Sequence, residues 1–255
     1  MRVHHIRNAT TLIESGNFKL LIDPMIGKKG SAAPPFSYLR FKPLKNPICD
    51  LPKGALELIY SATHCLITHR HADHLDSEAI RYLRDKQIPI TCSIRDQEEL
   101  KNKGLNICTA LDYWNLTNFV GGTIEGIPAR HGYGFVAKPM GHVMGYFLRL
   151  PNEPSVYLSS DTIYTKDVKK VLTQYKPDIA ILACGSAQLD MFQPLLMTMK
   201  DIIHFVTDAP KEVICNHLEA LNHCPNTRDQ LRTNLQSIGI IEKAWIPDDG
   251  EFKDY

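Results

Sequence analysis

The sequence predicts an α/β (α+β) protein built as a four-layer αββα sandwich: two mixed β-sheets face to face, helices outside, in a single domain over residues 1–255. Three observations predict it. Strand-like and helix-like runs come in two rounds, each with a strand-rich part and a part in which strands alternate with helices. No Pro/Gly/Ser-rich linker separates the rounds, so both share one core. Hydrophobic residues make up 44% of the chain and charged residues 22%, the composition of an ordered soluble protein with apolar mass for such a core.

The first round opens with strands MRVHHI, TTLIE and FKLLID, the last two joined by the hairpin turn SGN. From Pro24 to about Gly54 the chain is rich in Pro, Gly and Lys, too irregular for either element, and reads as a lid or as a solvated connection. Strand HCLIT, helix DSEAIRYLRD, strand IPITC, helix DQEELKNKG and strand NICTAL follow, with Asp76 and Asp96 placed as N-caps. The second round supplies strands GTIEGIPARH, HVMGYFLRL and SVYLSSD. Helix KDVKKVLTQY, strand DIAILAC, helix KDIIHFVTDA, strand EVICNH and a last helix around RDQLRTNLQS complete it.

Charge and composition exclude several function classes. Lys+Arg 29 against Asp+Glu 28 leaves a formal net charge of +1, so no global field gathers nucleic acid or anionic membrane. The longest apolar runs, such as IAILAC, fall far short of the roughly 20 residues of a membrane helix. The first residues lack the apolar region and cleavage site of a signal peptide, and seven scattered cysteines without a CxxC pair fit reduced thiols. A cytoplasmic protein without structural disulfides is expected. Its expected partner is a small molecule, with neither nucleic acid nor membrane, and a homo-oligomer stays open.

The chemistry concentrates in THRHADHLD, residues 68–76, which holds three of the eleven histidines. In an extended segment, residues i and i+2 point the same way, so His69 and His71 aim at one point. Asp73 and His74 fall on the turn before the next helix and face a second point, so one loop serves two ions. Thr68, Arg70 and Ala72 read as spacing. Three further donors close β runs: His131, Asp161 and His217. Taken singly, each has an ordinary reading, as a loop histidine, a turn cap and a core histidine; their joint placement at strand ends downstream of HxHxDH favours a metal site with an open position for water or substrate.

This pattern resembles the metallo-β-lactamase superfamily of dinuclear metal hydrolases. The opening HIRNATTLIESGNFKLLIDPMIGKKG and the late VICNHLEALNHC resemble, more narrowly, the branch with ascorbate-6-phosphate lactonase-like proteins. The resemblance implies that His69, His71 and His131 hold one metal, that Asp73, His74 and His217 hold another, and that Asp161 bridges them. It also implies that Asp23 supports the metal loop from behind. Two departures stand out: Ser160 replaces the usual glycine before the bridging aspartate, and His142 stands where proline is common.

Two divalent ions, zinc before manganese or iron, would generate a metal-bound hydroxide and polarise the bond under attack, with Asp73 as the catalytic residue orienting the nucleophile. The expected activity is hydrolysis of a small-molecule ester, lactone or phosphoester, with Asn8, Tyr133, His142, Asn222 and His223 as candidate substrate contacts. Lys28, Lys29, Arg130 and Lys138 are available for a phosphate, although solvated charge is the simpler reading of each. Cys215 and Cys224 read as small buried hydrophobes without a neighbouring base. The alternatives are a phosphodiesterase or nuclease on the same scaffold, a redox di-iron enzyme and a non-catalytic metal-binding protein.

Overall fold

Alternation with a period of two sorts the apolar residues into layers. In the computed structural model, which describes residues 1–35 and 37–255, β1 (Arg2–Arg7), β2 (Thr10–Ser15) and β3 (Phe18–Ile22) form an antiparallel meander. It continues in parallel through β4 (His64–Leu66), β5 (Ile90–Ser93) and β6 (Ile107–Leu111). The second sheet repeats the plan. Antiparallel β7 (Leu116–Phe119), β8 (Gly122–Pro128), β9 (Met144–Arg149) and β10 (Val156–Leu158) are followed in parallel by β11 (Ile179–Ala183), β12 (Glu212–Asn216) and β13 (Ala244–Trp245). Strand β14 (Phe252–Asp254) returns to pair antiparallel with β1, so each sheet has seven strands among the described residues.

Leu20, Ile22, Tyr146, Leu148, Ile179, Ile181 and Ile214 point between the sheets, and their neighbours Leu21, Phe147, Ala180, Leu182 and Val213 point outward. Residues apolar on both faces explain why IAILA is continuous rather than alternating. The outward faces are covered by α1 (Ala55–Tyr60), α2 (Ser77–Asp85) and α3 (Gln97–Asn102) on the first sheet, and by α4 (Lys166–Lys170), α5 (Met199–Asp208) and α6 (Arg228–Ser237) on the second. The expected four-layer sandwich is therefore observed. No helix among the described residues is long and apolar enough to cross a membrane.

Several local expectations change. Asp76 caps α2 through Ala79 N–H at 2.8 Å, as expected, but Asp96 makes no side-chain cap on α3; its carboxylate takes Arg70 Nε at 2.6 Å instead. The sequence reading missed α1, β7, β13 and β14. These are two to six residues long, too short to display a period, and β14 is fully exposed and exists by pairing with a strand 250 residues away in sequence.

Candidate metal centre

The seven expected donors converge at one edge of the sandwich, where strands end. Donor atoms of His69, His71 and His131 lie within 4.8 Å of one another, as do those of Asp73, His74, Asp161 and His217. His69 Nε2 and His71 Nδ1 face each other at 3.1 Å, so the i, i+2 pair meets although β4 has already ended at Leu66. Asp161 stands between the sets: Oδ2 is 3.5 Å from His131 Nε2, and Oδ1 is 3.3 Å from His74 Nε2 and 3.7 Å from His217 Nε2. Asp73 Oδ2 lies 3.3 Å from His217 Nε2.

Contacts behind the cluster fix which nitrogen of each ring faces inward. Asp23 accepts from Thr68 N (2.8 Å), Thr68 Oγ1 (2.7 Å) and His74 Nδ1 (2.9 Å). With the Thr68 hydroxyl spent on a carboxylate, His69 Nδ1 donates to Thr68 Oγ1 at 3.0 Å. His131 Nδ1 donates to the Leu195 carbonyl at 3.0 Å, and His217 Nδ1 rests 3.7 Å from Cys224 Sγ. His69, His74 and His131 thus have their outer nitrogen committed as a donor and turn Nε2 toward the centre, the arrangement of metal-bound imidazoles. Thr68 and Arg70 are therefore more than spacing: one orders the loop on Asp23, the other pins it to Asp96 and Glu99. Cys224 does have a neighbouring base, because the turn after β12 folds it back onto His217.

The donor set fits divalent cations. His74 Nε2, Asp161 Oδ1 and His217 Nε2 are buried without a hydrogen-bond partner, a costly state unless something else satisfies them. Burial and the neighbouring imidazoles keep His69 well below the ordinary histidine value, and burial lowers His131. Burial also opposes charge on His74, yet Asp161, Asp73 and Asp23 outweigh it and push that ring up to about 10; His217 is raised for the same reason, chiefly by Asp161. Asp73 and Asp161, despite burial, are held well below the carboxylate range by His74 and His217. The cluster calls for positive charge, which protons supply in one form and metal ions in another.

The backbone is bent to make this possible. Asn8, Asp23, Ser160 and His217 all adopt left-handed conformations, with φ of 57°, 46°, 59° and 60°, each costing on the order of 1–3 kcal/mol for a non-glycine residue. At 160 this explains why glycine would suit the position. At 217 it takes the histidine out of the alternation of Val213 and Cys215. Asn8, expected at the substrate, is fully buried behind the loop, where its side-chain Nδ2 donates to the Asp73 backbone carbonyl at 2.9 Å and its backbone carbonyl accepts from His217 N at 2.8 Å.

Above the cluster lies a cavity of about 250 Å³. Its wall is apolar (Met25, Ala32, Ala33, Pro35, Met140, Ala187, Leu189, Leu195 and Leu221) and, among the described residues, includes neither lysine nor arginine. Lys28, Lys29, Arg130 and Lys138 are exposed elsewhere. Of the candidate substrate contacts only His223 lines the cavity, and burial pushes its ring down to about 4. Tyr133 hydrogen-bonds Asp201 at the start of α5, His142 is held by Ser93 (2.8 Å) and Tyr113 (3.0 Å), and Asn222 is tied to Asn46 and Ser37. Their polar atoms were needed for loops, which no spacing announces. The segment 24–54 contributes Met25, Ala32, Ala33, Pro35 and Asn46 to the cavity wall.

Residues 19–217 match the family described as the beta-lactamase superfamily domain. The UPF0173 protein YddR of Bacillus subtilis strain 168 is 29% identical to this chain over 253 residues, covering 98% of each. A possible metal-dependent hydrolase from Veillonella parvula superposes with a TM-score of 0.90 at 29% identity, over 99% of this chain and 98% of that one. An isothiocyanate hydrolase from Delia radicum gut bacteria superposes with a TM-score of 0.90 at 28% identity, over 100% and 99%.

Proposed function

This chain belongs to the beta-lactamase superfamily, and from that premise we propose that it is a metal-dependent hydrolase of a small, neutral, apolar electrophile, an isothiocyanate before an ester or lactone. The observation that carries the choice is the cavity wall: apolar residues around the ligand cluster with, among the described residues, no lysine or arginine for a phosphate. The solved relative named as an isothiocyanate hydrolase supports the same class. A phosphoester, or the phosphate of an ascorbate-6-phosphate lactone, would find no lysine or arginine among the described wall residues.

His69, His71 and His131 would hold one divalent ion, Asp73, His74 and His217 the second, with Asp161 shared; zinc, manganese and iron all accept such N/O donors. When bound, the ions supply Lewis acidity, giving a nucleophilic water near neutral pH and polarising the bond under attack. Around them the chain excludes bulk water with Leu189, Leu195, Leu221 and the segment 24–54, and Asp73, the most exposed acidic donor, orients the attacking water. Hydrolysis of R–N=C=S places OH on carbon and H on nitrogen, so it needs neither an oxidant nor a covalent side-chain intermediate.

The test uses metal-loaded protein with about two ions per chain, offered allyl and phenethyl isothiocyanates, aryl esters, lactones and a phosphodiester, with Asp73→Ala in parallel. Isothiocyanate loss that disappears in the variant is the expected result. Turnover of the phosphodiester alone overturns the reading, and binding of two ions with no turnover leaves the non-catalytic alternative.

A further inference from the structure

Asn222 and His223 lie on the turn between β12 and α6, where a chain of hydrogen bonds decides which nitrogen of His223 carries the proton. The chain starts at a group that can only donate: Asn222 N–H, bonded to Asn46 Oδ1 at 2.9 Å. That fixes the Asn46 amide, whose Nδ2 then donates to Asn222 Oδ1 at 3.1 Å. Asn222 Nδ2 points the other way, to Ser37 Oγ at 2.8 Å and to the Lys42 carbonyl at 3.2 Å. A carbonyl only accepts, so the Asn222 amide is not free to flip. Its Oδ1 therefore faces His223 Nδ1 at 3.3 Å as an acceptor, and Nδ1 must bear the hydrogen.

We propose that Asn222 is a positioning residue that holds His223 as its Nδ1–H tautomer and so turns the bare Nε2 into the cavity's hydrogen-bond acceptor for the N–H or O–H that hydrolysis creates on the bound molecule. The acceptor role rests on the hydrolase reading above; the tautomer does not. His223 lines the cavity, and Nε2 has no partner among the described residues, nor is it among the occluded polar atoms. Outside the seven metal donors, the other polar side chain on the wall is Asn46, committed at both ends to Asn222. Among the described residues one uncommitted polar side-chain atom thus remains in an otherwise apolar wall, and in such a wall a single acceptor favours the N–H or O–H that forms during hydrolysis over a substrate that lacks a donor. Because Ser37, Lys42 and Asn46 belong to the segment 24–54, the covering of the cavity and the setting of its acceptor share one residue.

The test is ¹⁵N NMR of the histidine rings in zinc-loaded protein, with His223 assigned by its disappearance in His223→Gln. The wild type should show a protonated Nδ1 and a proton-free Nε2. Asn222→Ala should mix the tautomers, whereas Asn222→Asp, which keeps an acceptor beside Nδ1, and Ser37→Ala should preserve the wild-type form. A protonated Nε2 in the wild type overturns the proposal, as does an unchanged tautomer in Asn222→Ala, and the wild-type spectrum decides even where that variant does not fold. With a turned-over isothiocyanate, which gains its N–H only as water adds, His223→Phe should lower kcat about tenfold at unchanged KM, the value of one hydrogen bond; an unchanged kcat removes that contact. Absence of turnover fails the hydrolase reading while the spectra still judge the tautomer.

Discussion

Floor and roof of the cavity are held by different physics. The floor is the donor cluster: mostly buried residues just past strand ends, flanked by left-handed residues and with the outer nitrogens of His69, His74 and His131 held by Thr68, Asp23 and the Leu195 carbonyl. Among its described residues the roof, 24–54, has one bridge pair, Ala32 with Asn46, and a few short backbone bonds such as Gly30 N to the Pro47 carbonyl, and it borrows much of its order from elsewhere in the chain. Buried Arg7 donates to the carbonyls of Met25, Gly27 and Cys49, Asp76 accepts from Gly27 N, and Asp190 accepts from the backbone of Tyr38, Leu39 and Arg40. Irregular backbone needs such partners as much as a ladder does. On the proposed reading, the charged floor sets reactivity, and the apolar roof and wall set access and selectivity.

Damage to the floor should cost most. Asp161→Asn removes the carboxylate shared by both donor sets, and both bound metal and turnover should fall by more than about 100-fold, since partners that merely orient metal ligands are worth about 10- to 100-fold. Two ions per chain in that variant, by metal analysis, would contradict the shared role.

His223 stands where floor meets wall. Burial pushes it down to about 4 from an ordinary 6.5. The folded protein therefore binds fewer protons than the unfolded chain between those values, and stability falls as pH drops through that window. The His223 share reaches about 3 kcal/mol near pH 4. Urea unfolding of His223→Gln should show a flatter pH profile there; parallel profiles would show that the ring is not the source.

One layer further out, Asp23→Asn should weaken metal binding about 10- to 100-fold by loosening His74 and Thr68, read by competition with a chelator. On the wall, Leu189→Ser should leave metal content intact and raise KM for an apolar isothiocyanate about tenfold, the worth of roughly 1.4 kcal/mol of lost apolar contact. A change in kcat instead would assign Leu189 to the floor. The smallest effect is expected at Ser160→Gly, which relieves a left-handed residue and removes a buried hydroxyl without a partner. It should stabilise the fold by about 1 kcal/mol, measured by thermal unfolding, and a loss would mean that the hydroxyl is satisfied after all.

Much of the floor was legible because its geometry is local. His69, His71, Asp73 and His74 share one loop, and spacing alone divides them between two points. The layers were legible too, since a period of two or 3.6 is written into each run. His131, Asp161 and His217 read as a set only through their common position after β runs and their resemblance to a known pattern. The bonds that make them one centre cross from sheet to sheet. Asn8, Tyr133, His142 and Asn222 were polar residues near the right segments, yet folding spent their polar atoms on Asp73, Asp201, Ser93 and Ser37.

By itself, then, the sequence determined the sandwich and the donor chemistry, both consequences of short-range periodicity and residue type. Tertiary structure alone decided that Thr68 and Arg70 order the loop, that Cys224 backs His217, and that the segment 24–54 lines an apolar cavity with no lysine or arginine among its described residues. It also decided that His223 is the one candidate contact left facing that cavity. Each of these depends on which polar group finds a partner across tens or hundreds of residues, and hydrogen bonds that close in space leave no period in the chain.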